Sequence, residues 1–109
     1  MSLESCPPQL SDVKQQTWDN LTYFQSQQHI LRKRLATTEL QLDENESLFE
    51  KLEALYDSST DPVAREQTTA NMISLAVREN RLLCIVAYLK KEIAEFGVCA
   101  TLARSILFD

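Results

Sequence analysis

The sequence predicts an all-α protein, a long antiparallel helical hairpin of coiled-coil character. Three observations carry that prediction. The chain has one glycine and three prolines in 109 residues, too little turn chemistry for β-hairpins or a sandwich. No glycine or proline falls between Pro8 and Pro62. Within that stretch, alternate steps of four and three residues run through Thr17, Leu21, Phe24, Gln28, Leu31, Leu35, Thr38, Leu42, Asn45, Phe49, Leu52 and Tyr56, and eight of these twelve are apolar. Apolar residues sustained at that spacing form a seam that winds along a second helix.

The elements follow in order. Residues 1–9, with Pro7 and Pro8, read as a loose tail, because proline excludes a helix interior. Residues 10–109 read as one helical-hairpin domain, the size at which a chain supports a single core. Helix 1 is expected over about residues 10–57, started by Ser11 or Asp12 as a cap. Asn45 stands on the seam, where a polar residue fixes register if it meets a hydrogen-bonding partner, or meets water if the helix end frays. The run Asp57-Ser58-Ser59-Thr60-Asp61-Pro62 marks the boundary, with Asp61 as N-cap and Pro62 at the first helical position. A connection this short makes the helices antiparallel. Folding about Ser59 sets Leu52 near Gln67, Leu42 near Val77 and Leu31 near Tyr88.

Helix 2 is expected over about residues 62–96, ended by Gly97 as a C-terminal cap, the alternative being a helix that continues through Gly97 at a cost of roughly 1 kcal/mol relative to alanine. A short apolar helix then follows over 98–108, where Val98, Leu102 and Ile106 share a face. Helix 2 holds the apolar run Leu82 to Leu89, LLCIVAYL, too short to cross a bilayer, which takes about 20 apolar residues. On a helical wheel it carries two stripes. Leu75, Leu82, Val86, Leu89 and Ile93 fall on one side, to pack against Leu31, Leu35, Leu42, Phe49 and Leu52 of helix 1. Ile73, Val77, Cys84 and Tyr88 lie almost opposite and form a candidate partner interface.

Residue types exclude several functions. A net charge of −5 argues against nucleic acid, whose affinity rests on Lys and Arg, and against an anionic membrane. His29 is the one histidine, and no phosphate-cradling glycine loop, nucleophile elbow or paired zinc-ligand motif accompanies it. No enzymatic activity, cofactor or metal site is expected. Cys6, Cys84 and Cys99 fit no ligand or disulfide spacing, and MSLESCPPQL lacks the basic start and apolar core of a signal peptide. A cytosolic or nuclear location is expected. Charge is uneven: Glu39, Asp43, Glu44, Glu46, Glu50, Glu53, Asp57 and Asp61 surround the connection with Lys51 alone opposing them, while Arg32, Lys33, Arg34, Lys90 and Lys91 gather further along. Trp18 is expected to be buried against the C-terminal segment.

The second stripe decides the functional expectation, because soluble monomers rarely leave a continuous apolar strip in water. The tail beyond Gly97 could fold back over it, two hairpins could pair as a four-helix bundle, or helices of another protein could cover it. A twelve-residue tail spans about 18 Å of a strip about 24 Å long, so association is favoured, as a homodimer or a hetero-oligomer. The expected function is a protein-protein interaction module, a hairpin subunit or adaptor of a cytoskeletal, kinetochore or trafficking type of complex. The alternative is a chaperone-like cofactor that holds a folding client along its helices. Both comparisons are architectural.

Overall fold

The computed structural model describes residues 9–108. Two long helices in a hairpin make up the fold: α1, Leu10–Ser58, and α2, Pro62–Phe108. Among the described residues only Gln9 and Ser59 to Asp61 lie outside them. Most of the expected N-terminal tail, including Cys6, Pro7 and Pro8, lies outside the described residues.

The helix ends follow from local chemistry. Asp12 and Val13 both donate their backbone N–H to the Gln9 carbonyl, at 3.0 and 3.1 Å, so α1 begins just before the expected caps. Ser11 and Asp12 instead occupy its first turn, where an acidic side chain favours the positive end of the helix dipole. At the connection, the Val63 N–H donates to Asp61 Oδ1 at 3.1 Å and the Arg65 N–H to the Asp61 carbonyl at 3.0 Å. Asp61 is thus the N-cap of α2, with Pro62 at a position that needs no N–H.

One expected break does not occur. Gly97 lies inside α2 and has no positive φ, so it does not act as a C-terminal cap, and residues 98–108 are a continuation of α2 rather than a short separate helix. The physical reason is the seam. Phe96, Ala100, Ala103 and Leu107 continue the four-three spacing past the glycine, and Ala100 and Ala103 are buried. Burial there outweighs the roughly 1 kcal/mol that glycine costs a helix relative to alanine. The same continuity removes one of the three expected fates of the outer stripe: the C-terminal segment does not fold back over it.

The hairpin divides into two compact units, each built from both helices: a terminal unit, the described part of Met1–Arg32 with Lys91–Asp109, and a loop unit, Lys33–Lys90. In the terminal unit Leu21, Ala100 and Ala103 form a buried cluster, with Phe24 and Leu107 packed against it. Tyr23, Phe24 and Phe96 meet through their rings at centroid distances of 5.9 to 6.2 Å. Trp18 meets Phe108 edge-on at 5.6 Å but remains 45% exposed, so its ring caps the C-terminal end of α2 instead of being buried by it. Gln28 donates from Nε2 to the Ile93 carbonyl at 3.1 Å.

In the loop unit Leu82 and Leu89 are buried, Leu89 completely. Asn45 is 1% exposed and donates from Nδ2 to the Leu75 carbonyl at 3.0 Å. The Arg65 guanidinium lies 4.2 Å from the centre of the Tyr56 ring, a cation–π contact that closes the seam near the connection. These partners stand one or two residues further along α2 than a fold about Ser59 gives. The non-helical connection is Ser59 to Asp61, centred on Thr60, and the register follows from that.

Candidate protein-interaction surface

The seam of α1 is occupied throughout. Thr17, Leu21, Leu31, Thr38 and Asn45 are buried; Phe24, Gln28, Leu35, Leu42, Phe49, Leu52 and Tyr56 are half-buried. Its polar members are accommodated in two ways. Thr17 and Thr38 donate their hydroxyls to the Val13 and Arg34 carbonyls of their own helix, both at 2.8 Å, so each side chain needs no partner on α2. Gln28 and Asn45 instead cross to α2 backbone carbonyls. Asn45 lies well inside α1, and its one-sided bond ties a fixed level of one helix to the other. Its Oδ1 is buried without a partner, which makes the position one of specificity more than of stability.

On α2, Leu82 and Leu89 are buried, and Leu75, Val86 and Ile93 half-buried. Val77, Cys84 and Tyr88 of the outer stripe are exposed, Tyr88 58% and Val77 47%, Cys84 as a free thiol, whereas Ile73, 60% exposed, departs from the expected stripe and lies beside the seam in a groove with Phe49 and Tyr56. Val77, Cys84 and Ile85 share one shallow surface groove with Asn80 and Arg81. Asn80 and Arg81 stand between Val77 and Cys84 on that face, so the groove alternates apolar and polar side chains.

The loop unit exposes more apolar surface than that stripe. Leu83 and Ile85 widen it on α2, and Leu40, Leu48 and Leu55 are exposed on α1. Leu48, Leu52, Leu55 and Leu75 line a groove on one side of the helix pair, edged by Lys51 and Asn71. Phe49, Tyr56, Thr69, Met72, Ile73 and Ala76 line another. Leu48 and Leu55 are one heptad apart, and that spacing is the sequence signal for a second stripe on α1 as well. In the terminal unit Val98, Leu102 and Ile106 are exposed, the face that becomes available because α2 runs on past Gly97.

Chemical groups are sparse on these surfaces. His29 is exposed, and among the described residues no three side chains of His, Cys, Asp or Glu are grouped to hold a metal ion. No helix among the described residues is long and apolar enough to cross a membrane. Among the described residues the one ion pair, Lys91 with Glu95 at 4.0 Å, is solvent-exposed and of little energetic weight. What the arrangement can do is present apolar side chains at fixed helical intervals, with polar groups at their margins. Comparison with protein-family models, curated proteins and solved structures finds no match to this chain, so the functional reading rests on the surfaces themselves.

Proposed function

We propose that the chain is a non-enzymatic protein-protein interaction module, a helical-hairpin subunit or adaptor of a multiprotein complex in the cytosol or nucleus. The observation that carries this reading is the outward strip of α2, Val77, Cys84 and Tyr88, widened by Leu83 and Ile85. Burying apolar surface is worth about 25 cal/mol per Å², and strips of this kind are where soluble proteins associate. Helical partners fit it best, because side chains at three- and four-residue intervals interdigitate with those of another helix. When the partner contributes a hairpin, the product is a four-helix bundle. The free thiols of Cys84 and Cys99 are in keeping with a reducing compartment.

The test is Val77→Asp, read by native size-exclusion chromatography of extract from expressing cells together with circular dichroism of the purified chain. Wild type is expected to elute in an assembly well above its own 12.5 kDa. The variant is expected to elute free with its helicity nearly unchanged, since Val77 is already half in water. Elution of wild type as a free monomer, or unfolding of the variant, would contradict the reading.

A further inference from the structure

One side of the loop unit pairs apolar surface with a regular row of charge. Glu39, Glu46 and Glu53 recur at seven-residue intervals on α1 and are all exposed. Each stands four residues after one seam residue and three before the next, in the order Leu35, Glu39, Leu42, Glu46, Phe49, Glu53, Tyr56. Side chains at those spacings are neighbours on a helix surface. Glu53 is therefore on the rim of the groove lined by Phe49, Tyr56, Met72, Ile73 and Ala76, and Glu46 continues the rim by one more heptad.

The facing rim has nothing to answer these carboxylates. In an antiparallel pair the positions flanking the seam on one side oppose each other, and opposite charges there set partner and orientation. The equivalent positions of α2 are Thr69, Ala76 and Leu83, all exposed, and the next in that row, Lys90, comes a full heptad beyond Leu83. Among the described residues none of the three glutamates has an ion-pair or side-chain hydrogen-bond partner, and Arg65 is engaged on the Tyr56 ring. The hairpin thus carries half of a coiled-coil flank whose complement is missing from its own second helix.

We propose that this side of the loop unit binds a basic amphipathic helix of a partner protein as a third helix, its apolar residues filling the groove and its Lys or Arg, a heptad apart, meeting Glu39, Glu46 and Glu53. This adds a second surface to the interaction-module reading, beside the strip through Val77, and rests on that reading. Charge selects this occupant over a second copy of the chain. Eight carboxylates against one lysine between Glu39 and Asp61 place like charges together when two loop units pair symmetrically, and such juxtaposition is repulsive.

Two designed helical peptides of about 21 residues, identical along their Leu/Ile seam but bearing Lys or Glu at the flanking positions, test the proposal by fluorescence anisotropy with the full chain. The Lys peptide is expected to bind at least about tenfold more tightly than the Glu peptide, with the difference shrinking as salt is raised from about 0.05 to about 0.3 M. Glu46→Lys with Glu53→Lys should reverse the preference, and Ala76→Asp should remove binding of both while Val77→Asp leaves it in place. Equal binding of the two peptides, binding of neither, or an unchanged preference in the charge-reversed variant would overturn the proposal. A purified dimer that Ala76→Asp splits would assign the groove to a second copy and overturn it as well. Equal binding abolished by Ala76→Asp leaves the interaction module intact and defeats only the charge complement; a Val77→Asp variant that still elutes in the assembly defeats the module.

Discussion

The terminal and loop units are built from the same two helices but complete their seams differently. In the terminal unit small residues line the seam on α2. Ala100 and Ala103 close around Leu21, and a Cβ added at Gly97 would lie only 3.0 Å from Gln28 Nε2. In the loop unit large side chains, Phe49, Tyr56, Met72 and Leu75, stay half-exposed along grooves, and one fully buried side chain is the polar Asn45. Both units leave large apolar side chains in water, Val98, Leu102 and Ile106 in the first and Leu48, Leu83 and Ile85 in the second, but the second carries a regular row of glutamates beside them. The contrast is between a seam closed by small residues and one left open along grooves.

Substitutions can break that contrast, the largest effect coming from full burial. Leu89→Ala, at a position with no exposure, is expected to lower stability by about 2 to 5 kcal/mol, measured by urea denaturation followed at 222 nm. Ala100→Leu, in the close-packed terminal unit where the residue is 1% exposed, should cost about 1 to 3 kcal/mol through overpacking. The same enlargement at Ala76, exposed on the loop unit, should change stability by no more than about 0.5 kcal/mol. Equal costs at the two alanines would erase the distinction between a closed and an open seam.

Smaller effects sharpen it. Asn45→Leu removes the buried, half-satisfied amide and is expected to raise stability by about 1 kcal/mol while loosening the pairing register, seen as broadened or doubled amide resonances. Gly97→Ala should come out near neutral. The helix gains about 1 kcal/mol of propensity, and the new methyl displaces the Gln28 amide from its bond to the Ile93 carbonyl, a loss of similar size. Combined with Gln28→Ala, the alanine should show its propensity gain without that offset, which a double-mutant cycle resolves.

Much of the fold was legible because its determinants are periodic or local. The four-three spacing from Thr17 to Tyr56 located every buried residue of α1, and Asp61-Pro62 located the start of α2. Gly97 misled because its preference is local while the outcome is tertiary. Ala100 and Ala103 continue the seam, but alanine carries little weight in an apolar count. Register slipped for a local reason: α1 runs through Ser58, one residue past its expected end, which moves the centre of the connection to Thr60. On the surface, the stripe of α2 stood out by its β-branched and aromatic residues. Leu48 and Leu55 were hidden among the acidic residues around them, and the significance of Glu39, Glu46 and Glu53 depends on what faces them.

Cys84 offers the most direct measurement, since its thiol is exposed on the strip itself while Cys99 is half-buried elsewhere on α2. Alkylation rates of both cysteines, followed peptide by peptide by mass spectrometry, can be compared between the purified chain at low concentration and the protein in native extract. Coverage of the strip by a partner predicts that Cys84 reacts readily in the purified chain and at least about tenfold more slowly in extract, with Cys99 changed far less. Equal reactivity of Cys84 in both settings would mean that the strip stays open to water, and would contradict the account of this hairpin as a module that works through it.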